Sequence, residues 1–115
     1  MPEESPYDAE RLTFVAVATI DELGDGERLL FEVDEFSVAL FKIDGGYYAI
    51  ADVCSHDNGP VGEGEIDGHE IVCPRHGARF DLRNGKALTL PAVEDISAYP
   101  VRVEGDQILV GLPLN

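Results

Sequence analysis

Apolar and polar residues alternate along most of this chain, in short runs. In RLLFEVD (28–34), Leu29, Phe31 and Val33 fall on one face of an extended segment, while Arg28, Glu32 and Asp34 fall largely on the other. That is the period of two expected of a half-buried strand. Two similar runs, SVALFKI (37–43) and YYAIADV (47–53), flank the turn DGG at 44–46 and predict a β-hairpin. Asp67-Gly68 separates GEI from HEIVC, and Glu104-Gly105-Asp106 separates YPVRV from QILVGL, both in the manner of tight antiparallel turns. Only TIDEL (19–23) hints at a helical turn, and no run of ten or more residues sustains a helical period. Many short strands at close spacing predict an all-β domain, a small antiparallel sandwich or barrel with its loops gathered at the ends.

The 115 residues give room for one core and no second domain. Residues 1–10 (MPEESPYDAE) read as a flexible acidic tail rather than a signal peptide, because they lack an apolar stretch, and the domain is expected over 11–115. No uncharged apolar run approaches the length that crosses a bilayer, which predicts a cytoplasmic protein with no membrane contact.

Charge changes the picture of partners. The 23 acidic residues against 8 basic ones leave a net charge of −15 and argue against nucleic acid. The imbalance is uneven. Between Cys54 and Lys86, six carboxylates (Asp57, Glu63, Glu65, Asp67, Glu70, Asp81) face four cations (Arg75, Arg79, Arg83, Lys86), a net of −2 that leaves −13 for the rest. An acidic exterior keeps a protein soluble; it can also draw in a basic partner while the near-neutral segment makes the contact.

That near-neutral segment carries the chemistry. It opens with Cys54-Ser-His56 and, sixteen residues later, continues with Cys73-Pro-Arg-His76; these are the only cysteines of the chain. Residues two apart in an extended segment point the same way. Residues three apart can converge across a proline-containing turn, so two facing loops would offer two thiolates and two imidazoles. A lone disulfide fits poorly, because secreted disulfide frameworks use more cysteines and a signal peptide. Zinc accepts such a set and stays open on geometry alone, as a zinc-stabilised interaction domain. Zinc knuckles usually group like ligands, however. One cysteine and one histidine per loop suits two irons, with sulfur ligands on one and nitrogen ligands on the other.

The pattern C-x-H, sixteen residues, C-x-x-H, with Gly59-Pro60 after the first pair and HG-x-x-F-D from His76 to Asp81, resembles the Rieske-type [2Fe-2S] proteins. From GEGEIDGHEIV through YPVRVEGDQILV the chain is similar to the soluble, low-potential Rieske ferredoxins of bacterial oxygenase systems. The resemblance implies a fold of three small antiparallel sheets, with two cluster-binding loops, roughly 54–61 and 73–79, at one tip of a subdomain of about 52–85. It implies Cys54 and Cys73 on the inner iron of a Rieske [2Fe-2S] cluster and His56 and His76 on the outer one. The activity implied is that of a monomeric one-electron carrier, not itself an enzyme, taking electrons from a flavin-dependent reductase and passing them to a terminal ring-hydroxylating oxygenase. Rieske-like chains also occur as small subunits of nitrite reductases and beside iron-sulfur cluster assembly, which is the alternative.

High-potential members of the family have a serine after HG and a tyrosine two positions later that donate hydrogen bonds to cluster sulfur. Ala78 and Phe80 stand there instead and offer no side-chain donor, which predicts the low end of the Rieske range of ~−150 to +300 mV. Around the ligands, Asp57 and Asn58 are expected to shape the first turn, and Gly59, Pro60, Pro74 and Gly77 to set loop geometry. Arg79 is expected to pair with a nearby carboxylate and Arg75 to project from the tip toward a partner. His69 reads as an ordinary strand or surface residue, and Tyr47, Tyr48 and Tyr99 as core aromatics.

Overall fold

The computed structural model describes residues 12–54, 59–75, 77–90 and 94–114. The expected tail at 1–10, the ligand candidates His56 and His76, and the turn residues Asp57 and Asn58 lie outside the described residues. Among the described residues ten strands follow one another: β1 (Thr13–Thr19), β2 (Arg28–Val33), β3 (Phe36–Ile43), β4 (Gly46–Ala51), β5 (Glu65–Asp67), β6 (Glu70–Val72), β7 (Arg79–Asp81), β8 (Ala98–Tyr99), β9 (Val101–Glu104) and β10 (Gln107–Leu112). They form three antiparallel sheets ordered β1-β10-β9, β2-β3-β4-β8 and β5-β6-β7, as expected.

The middle sheet exists because β3 is apolar on both faces. Val38, Ala39, Leu40 and Phe41 are all fully buried, and alternation sorts them onto opposite sides. Val38 and Leu40 join Ala49, Ile108, Val110 and Leu112 in a core beneath the β1-β10-β9 sheet. Ala39, Phe41 and Ile43 join Ile50, Ile71, Phe80 and Leu82 in a second core that also contains Cys54 and Cys73. Each large side chain so buried contributes about 2 kcal/mol, so β3 serves both cores at once. The half-buried pattern read from β2 holds: Leu29, Phe31 and Val33 are partly buried while Leu30 and Glu32 are exposed.

The hairpins follow the turn chemistry. Between Ile43 and Gly46, which pair, only Asp44 and Gly45 remain, with φ of 51° and 83°. Positive φ at both central residues is what a two-residue turn needs to match the strand twist. Between β9 and β10 the two-residue turn is Gly105-Asp106, where only the first residue, Gly105, has a positive φ, 62°. At β5–β6 the turn is Gly68-His69, one residue later than expected, because Asp67 pairs with Glu70 and stays in the strand. TIDEL supplies a single 3-10 turn, Ile20–Glu22, capped by the Glu22 carboxylate, which accepts the Thr19 N–H at 2.8 Å.

Candidate metal centre

The second of the two loops is the turn of a hairpin. Val72 and Arg79 pair across β6 and β7, leaving 73–78 as a six-residue connection. Cys73 N–H donates to the Ala78 carbonyl at 2.7 Å, and Gly77 N–H donates back to the Cys73 carbonyl at 3.0 Å. Gly77 has φ 79° and nothing within 4 Å of an added Cβ, so backbone conformation rather than space demands glycine there. Arg79 closes the base of the hairpin: its Nη1 donates to Asp67 Oδ2 and Glu70 Oε1, both at 3.0 Å, the carboxylate pairing expected of it.

The first loop leaves β4 and has no partner strand to return along. It is closed all the same: Cys54 N–H donates to the Gly59 carbonyl at 2.7 Å, the same five-residue span as Cys73 to Ala78. Beyond Gly59 and Pro60, side chains from elsewhere take over. Asp52 Oδ1 accepts the N–H groups of Val61 (2.9 Å) and Gly62 (2.6 Å). Arg28, on β2, donates through Nη1 to the carbonyls of Gly62 and Gly64, both at 2.6 Å, and lies over the Phe41 ring with its Cζ 5.6 Å from the centroid. The glycines fit this packing. A Cβ at Gly62 would stand 2.8–2.9 Å from Leu30, Ala39 and Asp52, and one at Gly64 would overlap the Val72 carbonyl at 1.8 Å.

Both cysteines are therefore brought to the same apolar core from two separately closed loops. Cys54 is 0% and Cys73 1% exposed, in a cluster with Val61, Ala78 and Phe80. This arrangement fits a metal centre whose sulfur ligands lie on the inside. In sequence, His56 follows Cys54 by two residues and His76 follows Cys73 by three, inside the spans 54–59 and 73–78. Ala78 and Phe80 are fully buried, so the two positions without side-chain donors face the core and not solvent.

The remaining candidates are placed as follows. The His69 ring meets Tyr48 edge-on at 5.4 Å, and its carbonyl accepts the Leu82 N–H, consistent with an ordinary turn residue. Tyr99 is buried, and Tyr47 and Tyr48 are partly buried against the two cores, as expected of core aromatics. Arg75 differs from expectation. Its Nη1 donates to the Pro60 carbonyl at 2.8 Å, so the side chain folds onto the first loop instead of projecting from the tip. Sequence reasoning missed Asp52 and Arg28. Only the position of Asp52 two residues before Cys54 hinted at a role; nothing near Arg28 did. Asp81, at the end of β7, is the one buried carboxylate among the described residues. Arg83 donates to it through Nε (3.0 Å) and Nη2 (2.9 Å), and these bonds hold its carboxyl below the usual carboxylate range despite the opposing effect of burial.

The sequence pattern of the Rieske [2Fe-2S] domain matches residues 13–100, and thus spans all of this geometry. The chain belongs to the Rieske [2Fe-2S] domain family. Its cofactor is accordingly a Rieske-type [2Fe-2S] cluster, and the zinc alternative gives way. Among Rieske proteins it is 43% identical over 95 residues to the 3-phenylpropionate/cinnamic acid dioxygenase ferredoxin subunit of Shigella flexneri serotype 5b, covering 82% of this chain and 89% of that one. It superposes on the ferredoxin of carbazole 1,9a-dioxygenase from Nocardioides aromaticivorans IC177 with a TM-score of 0.80 and 40% identity, over 85% of this chain and 96% of that one. It is also similar to the terminal oxygenase of carbazole 1,9a-dioxygenase from the same organism (TM-score 0.76, 29% identity, 84% of this chain), but there it covers only 29% of the partner structure. Among the described residues, no helix is long and apolar enough to cross a membrane.

Proposed function

We propose that this chain is a one-electron carrier that accepts electrons from a flavin-dependent reductase and delivers them to a terminal oxygenase of the ring-hydroxylating type. The observation that carries this reading is likeness: the chain is 43% and 40% identical to two dioxygenase ferredoxins but 29% identical to the oxygenase that shares the fold. That difference supports the part of a carrier over that of the catalyst. In this reading Cys54 and Cys73 hold one iron, and His56 and His76 hold the other. The carrier acts as a cytoplasmic monomer.

When bound, the cluster supplies one-electron chemistry at a potential raised by its imidazole ligands, since two of the four thiolates of a plant-type site are replaced by neutral groups. The chain's own residues do the rest. The thiolates of Cys54 and Cys73 cancel the formal charge of two ferric ions and two sulfides, which makes their burial in an apolar core tolerable. Backbone closure at Gly59 and Ala78 holds each ligand pair in place. Ala78 and Phe80 add no side-chain donor, which leaves the reduced state less stabilised and the potential at the low end of its range.

The test is transfer. Protein reduced with dithionite and mixed anaerobically with a panel of ring-hydroxylating oxygenases is expected to reduce at least one of them, and to be re-reduced by NADH with the flavin reductase of the same system. A protein that holds its electron in front of every oxygenase, or that no flavin reductase can reduce, would overturn the proposal.

A further inference from the structure

The second loop reaches across to the first. Arg75 is exposed, yet its guanidinium folds back over Gly59 and Pro60: beyond the hydrogen bond to the Pro60 carbonyl, a Cβ built on Gly59 would stand 2.7 Å from Arg75 Cζ and Nη2 and 3.1 Å from Nε. The flat group thus occupies the space that a side chain at position 59 would need. Gly59 is not among the glycines with positive φ, so its backbone by itself admits alanine. A side chain there would have to displace the guanidinium from its place. Gly77, in the other loop, is the reverse case, with open space and a left-handed backbone.

The place that Arg75 covers matters. The Gly59 carbonyl closes the first loop on Cys54, and the N–H groups of Val61 and Gly62, just beyond Pro60, are tied to Asp52. Arg75 therefore grips the backbone between the loop's closure and its anchor. Two further features of the residue suit this task. A guanidinium can donate in its plane while its face lies flat on a backbone, which an ammonium cannot do. Arg75 also sits between Cys73 and His76, so whatever it grips is held relative to that ligand pair.

We propose that Arg75 is the interlock of the two cluster-binding loops, a positioning residue that holds the Cys54/His56 pair at a fixed place relative to the Cys73/His76 pair without a covalent bridge. Gly59 is glycine in order to receive it. The inference rests on the ligand assignment proposed above.

A double-mutant cycle tests it, read as the rate at which the anaerobic holoprotein loses its visible absorbance to a chelator and as the width of the EPR lines of the reduced state. Arg75→Ala is expected to speed cluster loss by about tenfold and to broaden the lines, the size expected when one net hydrogen bond and its packing are lost. Gly59→Ala alone should do the same, by pushing the guanidinium away. Combined, the two should be no worse than Arg75→Ala, because the second substitution meets empty space. If Arg75→Ala loads too poorly to measure, Arg75→Lys serves, and Gly59→Ala should cost less in that background than in the wild type. Additive effects, or a Gly59→Ala protein indistinguishable from wild type, overturn the interlock. So does an Arg75→Ala protein that keeps its cluster as long as the wild type and is slowed only in transfer to an oxygenase, which would make Arg75 a partner contact. His56→Ala and His76→Ala separate this from the ligand assignment: if either keeps the wild-type spectrum the assignment fails, whereas loss of the spectrum in both with an additive cycle sinks the interlock alone.

Discussion

The two cluster-binding loops solve one problem in different ways. Each is closed by the same bond, a cysteine N–H to the carbonyl five residues on, at 2.7 Å. The 73–78 loop inherits its shape from the β6–β7 hairpin, whose paired strands bring its ends together, with Arg79 bridging to Asp67 and Glu70 at the base. The 54–59 loop lies between two sheets, and its exit is held by Asp52, by Arg28 and, across the gap, by Arg75. A ladder is a distributed support; a few polar side chains are a concentrated one. The first loop should therefore be sensitive to single substitutions far from the ligands, and the second should be less so.

The largest effect should come where the first loop's exit meets the second loop's strand. Gly64→Ala would drive a methyl to 1.8 Å from the Val72 carbonyl, a backbone atom fixed by the pairing of Val72 with Glu65 and Arg79. Overpacking against backbone that cannot yield should cost about 3 kcal/mol or more, seen as a fall in the thermal midpoint or as failure to load cluster. A Gly64→Ala protein of wild-type stability would mean that the loops are not held this closely.

Asp52→Ala should come next. It strips the acceptor from two backbone N–H groups in a partly buried place, at about 2–3 kcal/mol, while Asp52→Asn keeps an acceptor oxygen and should recover part of the loss. Arg28→Met, which keeps the apolar stem over Phe41 but removes both donors, should cost about 1–2 kcal/mol. Urea denaturation at constant pH measures both. In contrast, Arg79→Met, at the base of the second loop, should leave the urea midpoint nearly unchanged, because its two ion pairs are substantially exposed.

A modest effect belongs to pH. Asp81, on the second loop's side, is held below the usual carboxylate range by Arg83. A group depressed in the folded state contributes stability above its unfolded pKa, and that contribution is lost as the pH falls through the lower folded value. The loss should lie at and below the ordinary value of 3.8, and Asp81→Asn should flatten this part of the acid-unfolding curve at a cost of about 1 kcal/mol at neutral pH, since Arg83 is 58% exposed. An acid limb unchanged in Asp81→Asn would place the linkage elsewhere.

Much of this contrast was legible in the sequence where it depends on neighbours along the chain. The Asp44-Gly45 and Gly105-Asp106 turns, the alternation in β2 and the two Cys/His pairs all follow from spacings of a few residues. Pairing between the chain's first and last strands, β1 with β10, leaves no local trace, since either strand would look the same against another partner. The same holds for Arg28, which braces glycines 34 and 36 positions away, and for Arg75, whose target lies 15 residues back in a different loop. Periodicity also could not say that β3 would be covered on both faces. A run such as VALF fits a central strand or a half-exposed one, and only the two cores packed against it decide between them.

The most direct test of the account is an anaerobic reductive titration of the freshly purified protein, followed by optical and EPR spectra of wild type, His56→Ala and His76→Ala. The account predicts a red-brown protein that takes up one electron per chain, shows the low average g value of a mixed sulfur and nitrogen [2Fe-2S] centre, and loses that signature when either histidine is replaced. A colourless protein holding a single metal ion, or a wild-type spectrum kept by either variant, would contradict it.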